Sequence, residues 1–315
     1  MATPLIELSE PAHREFGLRP ILATHNMDRS ELFTDEALID LLECYPREHL
    51  YALTMGYDDA GTDQNRSVLH DGVGGAALLE AVKNGRLWLN VTQIHRADNR
   101  FRDLIGELYG QLETRLPGFS PVSTSGTLLI SSPNVLVYYH ADALPSVLWH
   151  IRGQKRIWIY PAHDERFMRQ SHLEDIYAGV RHEYLPFEPS YDQGAVVYDL
   201  QPGQWISWPR NAPHRVTNLG SVNISLSTEH ATRESRAHAR IYVANRYLRT
   251  HLGFRNLSVR ETGASAFLKT AVHKIARKVG LDPLELKRHI PVLRIDPNAP
   301  GGVVAVDEAS AVKLP

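Results

Sequence analysis

The sequence has almost no cysteine, no long apolar run and no excess of charge of either sign, and each absence excludes a class of protein. Its single cysteine, Cys44, has no second thiol to pair with, so a disulfide-held fold is excluded and a reducing compartment is favoured. No apolar run approaches the roughly 20 residues of a membrane-spanning helix, and the N-terminus lacks the basic start and apolar centre of a signal peptide. We therefore expect a cytoplasmic protein with no membrane partner.

The charged residues argue against a nucleic-acid partner. There are 34 basic and 36 acidic residues, for a net charge of -2, and neither sign forms a long run. Binding to a phosphate backbone usually relies on a concentrated basic surface, so nucleic acid is an unlikely partner. What the sequence does contain is apolar residues, which make up 43% of the chain and are enough for one large domain with a sizeable core.

The pattern of apolar residues divides the chain into four regions. Residues 1–120 read as a mixed α/β region that flanks the core, with helices at 34–45, 75–85 and 99–118. In residues 121–230 about eight short runs rich in β-branched and aromatic residues, such as "NVLVYY", "SVLWHI" and "KRIWIYP", are separated by Pro, Gly and Asn. Such a succession of short strands favours a closed or double-sheet antiparallel architecture, either a barrel or a jelly roll.

The third region is predicted to be helical, and the fourth is predicted to lack regular secondary structure. Residues 231–290 carry apolar residues at helical spacing and end in a short helix that begins at Asp282 and Pro283. Residues 291–315 contain few large apolar residues and are expected to form a loose tail. The C-terminal helices would pair across a homodimer or pack on their own barrel, and the sequence pattern fits both arrangements. Within the strand region, residues 174–193 form an insert with no clear secondary structure.

One polar tripeptide, His140-Ala141-Asp142, ends an alternating apolar run. A chain with 16 histidines contains about one such H-x-D tripeptide by chance, so the motif alone decides nothing. Residues two apart on a strand face the same side, which allows His140 and Asp142 to offer an imidazole and a carboxylate to one metal ion. His214, which follows a tight turn, a strand and a Pro-rich bend, is the candidate third ligand. The alternative for His214 is a loop histidine that is hydrogen-bonded to a carbonyl group.

Two histidines and one carboxylate leave coordination positions open, as non-haem Fe(II) chemistry with oxygen requires. An H-x-D motif followed by a histidine about seventy residues later resembles the cupin-type 2-oxoglutarate and Fe(II)-dependent oxygenases, in particular their JmjC and asparaginyl-hydroxylase-like branch. The second cupin motif, G-x5-P-x-G-x2-H-x3-N, is matched by Gly203, Pro209, His214 and Asn218. Its inner glycine is Asn211 here, and Asn is the next most tolerant residue in a left-handed turn.

The resemblance covers about residues 120–230 and implies a mainly β fold with flanking helices, whose catalytic core at 121–230 is a double-stranded β-helix of the jelly roll or cupin type. It also implies Fe(II) bound by His140, Asp142 and His214, with 2-oxoglutarate as co-substrate and O2 as oxidant. The first cupin motif's H-x-H and downstream glutamate are absent, which argues against an ordinary four-ligand cupin.

In the branch that the chain resembles, a lysine on the strand after the H-x-D strand pairs with the distal carboxylate of 2-oxoglutarate. Lys155 is the matching residue, and its alternation with Ile157 and Ile159 turns it toward the interior. An inward lysine among isoleucines is costly unless it meets an anion, although a solvated turn lysine is the alternative. The arginine that other 2-oxoglutarate enzymes carry after the distal histidine is missing from "VNISLS".

Supporting residues follow from the same resemblance and from strand parity. Ser146 is expected to hydrogen-bond the 2-oxoglutarate carboxylate, as a polar residue near this position does in the family. Tyr138 shares the parity of His140 and is expected to face the pocket, whereas Val137, three before His140, replaces a hydroxyl or aromatic contact of the family. Candidates for the substrate rim are Arg210, Asn211, His150 and Glu229.

The implied activity is hydroxylation or demethylation of an unidentified small-molecule or polypeptide substrate, with release of succinate and CO2. The main alternative is a non-catalytic metal-binding, ligand-binding or regulatory module on the same barrel. Such a module would not need both a complete triad and an inward lysine. A metal-dependent isomerase or a dioxygenase that does not use 2-oxoglutarate would leave Lys155 without a role.

Overall fold

The computed structural model describes residues 6–56, 65–278, 293–299 and 301–306. Within these ranges the chain forms fourteen strands and eight α-helices. The strands of the first half are β1 (Ile21–Thr24), β2 (Leu50–Thr54), β3 (Ser67–Leu69), β4 (Leu87–Val91), β5 (Ser123–Ser131), β6 (Leu136–His140) and β7 (Ser146–Arg152). Those of the second half are β8 (Lys155–Ile159), β9 (Val196–Leu200), β10 (Gln204–Ser207), β11 (His214–Asn218), β12 (Asn223–Ala231), β13 (Leu293–Ile295) and β14 (Val303–Ala305). The helices are α1 (Glu10–Glu15), α2 (Asp35–Cys44), α3 (Gly75–Asn84), α4 (Ile94–Ala97), α5 (Asn99–Arg115), α6 (Gln170–Tyr177), α7 (Arg233–Leu252) and α8 (Ala264–Lys278).

The strands form two sheets that pack face to face. The major sheet has ten strands in the order β1-β10-β7-β12-β5-β4-β2-β3-β13-β14, and the minor sheet has four in the order β6-β11-β8-β9. Apolar side chains from both sheets meet between them, among them Leu148 and Ile206 of the major sheet and Ile157, Ile159 and Val216 of the minor sheet. The eight strands predicted between residues 121 and 230 are all present, and the predicted double-stranded β-helix core is confirmed.

Helices of the N-terminal region cover the outer face of the major sheet. Leu38 and Leu42 lie one turn apart on α2, which begins where the Thr34 side chain accepts a hydrogen bond from the Ala37 amide. These leucines join one large apolar cluster with Phe101 of α5 and with side chains of the sheet. Since β1 and β4 are themselves strands of the major sheet, the N-terminal region extends the core as well as covering it.

The outer face of the minor sheet is covered by α6, the chain after it and α7. Tyr139 and Tyr160 of the minor-sheet segments pack with Phe167, Leu173 and Tyr242 in a second apolar cluster. Helix α6 includes the start of the 174–193 insert, for which the sequence predicted no clear secondary structure. A buried ion pair joins the two helices, because Arg249 of α7 contacts both carboxylate oxygens of Glu174 at 2.7 and 3.0 Å.

The C-terminal region differs in one respect from the prediction. Within the stretch predicted as a loose tail, β13 pairs in parallel with β3 and in antiparallel fashion with β14, so both strands lengthen the major sheet. Short runs such as "LRI" and "VVA" gain their order from backbone pairing at a sheet edge, which a local reading of hydrophobicity does not detect. The short helix predicted from Asp282 lies outside the described residues.

No helix in the described part of the chain is long and apolar enough to cross a bilayer.

We predict that the buried ion pair between α6 and α7 is important for stability. The Glu174 side chain is fully buried, so Arg249→Ala leaves its charge with only the Gln170 amide as a partner and is expected to lower the free energy of unfolding by about 3 kcal/mol. Arg156→Ala is the matched control, because Arg156 also pairs with a carboxylate, that of Asp199, but on the exposed surface. Chemical denaturation should show a loss in the first variant and little change in the second. Equal effects would contradict the prediction.

Candidate metal centre

Three candidate metal ligands meet at the end of the minor sheet. His140 is the last residue of β6, and the strand register places it directly opposite His214, the first residue of β11. One ligand atom from each of His140, Asp142 and His214 lies within 4.8 Å of the others. The Nε2 atoms of the two histidines are each 3.8 Å from a different carboxylate oxygen of Asp142. The pairing of β6 with β11 thus brings together residues that are far apart in the sequence.

The surroundings of the triad fix how its ligand atoms are presented. The Nδ1 atom of His140 lies 2.7 Å from the carbonyl oxygen of Tyr138, and that of His214 lies 3.1 Å from the carbonyl of Ala212. Because a carbonyl only accepts, each Nδ1 carries the hydrogen, and each Nε2 keeps a lone pair for a metal. Burial lowers the pKa of His214 to about 4, which maintains its neutral, ligating form. Two such imidazoles and one carboxylate fit Fe(II).

Ser146 lies beside a candidate metal ligand. It begins β7, and its hydroxyl donates to Oδ2 of Asp142 at 2.7 Å. The chain turns back after Asp142, which brings the start of β7 against the Asp142 carboxylate. Ser146 therefore orients the Asp142 carboxylate, and hydrogen-bonded partners of this kind influence metal affinity.

Tyr138 is not among the residues that line the cavity, because β6 contains an irregularity that parity does not reveal. His140 pairs with His214, but Val137 pairs with Val216, so two residues of β6, Tyr138 and Tyr139, oppose the single residue Arg215 of β11. A β-bulge of this kind reverses the alternation of side chains along the strand. Val137 consequently lines the cavity beside His140, while Tyr138 is buried with the edge of its ring against Tyr184.

The triad opens into a cavity of 540 Å³ between the two sheets. This volume lies in the range of small-molecule sites, roughly 300–1,000 Å³. The minor sheet contributes apolar and amide side chains, and the major sheet contributes hydroxyl, amide and apolar ones. The lining side chains of the sheets include Val137, Val216, Asn218, Asn90, Thr127, Leu129, Ser131, Leu148 and Ser227.

Lys155 lies at the opposite end of this cavity and faces inward, as predicted. It is paired with Asn218, which lies four residues along β11 from His214, or roughly 13 Å at the usual rise of a strand. Its side chain lines the cavity and is 5% exposed, and no ion pair or hydrogen bond engages its ammonium group among the residues that the structure describes. Burial lowers the pKa of Lys155 to about 7. An anionic ligand beside the ammonium group would offset most of the free-energy cost of burying its charge.

Two further carboxylates line the cavity near the triad. Glu229 of β12 was a rim candidate, whereas Glu183, on the irregular chain after α6, was not identified from the sequence. Burial, together with the neighbouring Asp142, raises the pKa of both carboxyl groups. Glu183 also holds the backbone beside the triad, because its carbonyl accepts from the Ala141 amide and its carboxylate from the Ala143 amide. A polar residue in an irregular segment gives no periodic signal from which this placement could be predicted.

The other rim candidates have structural partners. His150 is fully buried in β7, where its ring nitrogens contact Ser225 and the carbonyl of Gly153, so its assignment to the rim is wrong. Arg210 forms an ion pair with Glu261 at 2.7 Å. Asn211 adopts the left-handed conformation expected of it, with φ of 61°.

The depressed pKa of Lys155 leads to a stability prediction. The unfolded chain binds a proton at Lys155 up to a pKa of about 10.4, so stability should rise with pH between about 7 and 10. Lys155→Met removes the buried charge and is expected to stabilise the free protein by about 2–4 kcal/mol at pH 6, with a gain that shrinks toward pH 10. Denaturant unfolding at both pH values measures the gain. A gain that does not depend on pH would contradict the assignment.

Comparisons with known proteins support the fold. No protein-family model and no curated protein sequence matches the chain. Among solved structures, E. coli ycfD matches with a TM-score of 0.51 and 15% identity, over 87% of this chain and 69% of that one. The E. coli ribosomal oxygenase YcfD, at 14% identity over 87% and 68%, has a TM-score of 0.48. YcfD in complex with cobalt and 2-oxoglutarate, with the same identity and coverage, has a TM-score of 0.49. Identities this low establish the fold alone, and from the first match the chain has the fold that its cupin motifs predict.

Proposed function

We propose that the protein is an Fe(II)- and 2-oxoglutarate-dependent oxygenase, which hydroxylates or demethylates its substrate with release of succinate and CO2. One observation carries the proposal. A two-histidine, one-carboxylate triad and a buried lysine without a partner among the described residues lie at opposite ends of a single cavity. This arrangement suits a ligand with a metal-chelating end and a distal carboxylate, and 2-oxoglutarate has both.

The roles of the side chains follow from their positions. His140 and His214 would hold the metal through Nε2, and Asp142 through its carboxylate, which Ser146 orients. Bound Fe(II) supplies the chemistry with oxygen, for which 2-oxoglutarate is the co-substrate. Lys155 would bind the distal carboxylate of that co-substrate. The apolar side chains of Leu148 and other lining residues exclude water from the space between.

A non-catalytic module that binds a metal or a ligand in the same cavity is the alternative. Such a module needs a pocket, but it does not need both a metal triad at one end and a buried lysine at the other. The combination of two features favours the enzyme, because a module that binds only a metal does not need the buried lysine and one that binds only a ligand does not need tautomers that leave both Nε2 atoms available. A loss of folding stability at such positions is typical of functional sites.

Turnover without added substrate tests the proposal. We expect protein that has been loaded with Fe(II) under anaerobic conditions to form succinate from 2-oxoglutarate when it is exposed to air. His140→Ala should abolish succinate formation, and Lys155→Ala should raise the half-saturating 2-oxoglutarate concentration by about tenfold or more, since it removes a charge-assisted contact. Arg156→Ala is the control, because it removes the same charge from the next residue, which faces solvent.

The opposite result is equally informative. If no succinate forms and calorimetry detects no binding of 2-oxoglutarate to the metal-loaded protein, the oxygenase proposal fails and the binding module becomes the better account. If turnover survives in His140→Ala, the metal ligands have been assigned wrongly.

The partners belong to the same proposal. The substrate is a small molecule or a polypeptide side chain that reaches the triad past Glu183 and Glu229, and a cytoplasmic location remains our expectation. We also propose that two copies pair through the C-terminal helices. Phe267, Leu268 and Ile275 of α8 are 76%, 64% and 61% exposed, and a self-complementary pairing of two helices would bury such a face.

Sedimentation velocity tests the pairing. We expect the wild-type protein to sediment as a dimer at micromolar concentration and the double variant Leu268→Glu, Ile275→Glu to sediment as a monomer, because charge on that face opposes its burial. Circular dichroism should show the same helix content for both. A wild-type protein that is monomeric throughout would refute the proposal.

A further inference from the structure

Asn211 stands where the cupin motif has its inner glycine, and its side chain makes contacts that a glycine lacks. The backbone there is left-handed, with φ of 61°, so the conformational requirement of the motif is unchanged. The side chain is buried at 2% exposure, and its Nδ2 donates to the main-chain carbonyl of Asp142 at 2.8 Å. The substitution thus connects the loop before β11 directly to the backbone of a candidate metal ligand.

The orientation of the Asn211 amide is fixed from its other side. Its Oδ1 accepts a hydrogen bond from the hydroxyl of Tyr177 at 3.0 Å and lies 3.1 Å from Nε2 of His238. The carbonyl of Asp142 can only accept, so the NH2 group must face Asp142 and the amide oxygen must face Tyr177 and His238, whose Nε2 then carries the hydrogen. Rotation of the amide by half a turn would place two oxygens opposite each other.

His238 is held in turn by charged groups. Its Nδ1 accepts a hydrogen bond from Arg210 at 2.9 Å and lies 2.7 Å from Oε1 of Glu261, and Arg210 also donates to that oxygen at 2.7 Å. His238 is 3% exposed and lies on α7, while Glu261 lies on the chain just before α8. The polar groups therefore form a continuous path from the C-terminal helices to Asp142.

Asp142 needs such support because it lies beyond the last residue of β6 and has no place in the strand ladder. Glu183 holds the amides of the two neighbouring residues, Ala141 and Ala143. The contact from Asn211 fixes the third polar group of this turn, the carbonyl of Asp142 itself. Metal sites tolerate ligand displacements of only about 0.2 Å, so a peptide that is free to rotate would lower affinity.

We infer that Asn211 is a positioning residue for the metal centre, and that His238 acts through it by fixing the orientation of its amide. The inference rests on the proposed function in one respect, which is that Asp142 binds a metal. It adds that the C-terminal helices are coupled to that centre by hydrogen bonds.

The discriminating variant is Asn211→Gly, which keeps the left-handed backbone and removes only the amide. With Co(II) as the probe, we expect calorimetry to show affinity about tenfold or more below wild type, in line with the loss of other groups that orient metal ligands. The visible absorption of bound Co(II) should also change, because it reports the geometry of the ligands rather than stability. Asn256→Gly is the matched control, since Asn256 is also left-handed, with φ of 54°, but is exposed.

Variants of His238 test the second half of the inference. His238→Ala should weaken Co(II) binding in the same direction, and His238→Gln, whose amide N–H reaches the position of Nε2, should restore most of it. Because His238 acts only through Asn211, adding His238→Ala to Asn211→Gly should cause little further loss.

The outcomes separate the inference from the proposed function. If wild-type protein binds Co(II) and Asn211→Gly binds it equally well with an unchanged spectrum, the positioning role is refuted and the oxygenase proposal stands. If the losses of Co(II) affinity in Asn211→Gly and His238→Ala add fully in the double variant, His238 does not act through Asn211. If wild-type protein binds neither Co(II) nor 2-oxoglutarate, both proposals fail.

Discussion

The pairing of β6 with β11 is the constraint on which the rest of the site depends. It sets His140 opposite His214, so their imidazoles converge at one end of the minor sheet. The same strand β11 pairs on its other side with β8 and places Asn218 against Lys155. One strand therefore fixes both ends of the cavity, and the separation of the triad from the lysine is a property of backbone register rather than of side-chain packing.

Much of this arrangement is encoded in local patterns. The core strands alternate or form short apolar runs between turn residues, and His140, Asp142, His214 and Lys155 interrupt those patterns with groups that are costly to bury. The left-handed backbone at Asn211 follows from its place in a motif. Residues whose chemistry conflicts with their strand position are thus the most informative residues of the sequence.

What the sequence did not reveal depends on contacts between distant segments. The bulge in β6 exists because two of its residues oppose one residue of β11, and no pattern within β6 records that mismatch. Glu183 enters the cavity only because the chain after α6 forms an isolated bridge between Tyr184 and His140. The edge strands β13 and β14 gain order from β3, far away in the chain. Register and edge pairing are properties of the assembled sheet, so periodicity cannot supply them.

The burial of polar groups in the cavity also explains why helices pack on the outside of both sheets. Burial displaces the pKa values of Lys155 and Glu229 toward the neutral form, so each of these groups costs folding free energy in the free protein. The elements that hold these groups are packed from outside, by helices on the major sheet and by α6 and α7 on the minor sheet. Helix α7 packs on the minor sheet and also carries His238. The His238 side chain contacts Asn211, and the Asn211 amide donates to the backbone of Asp142. A glycine at that position would preserve the turn and break the connection.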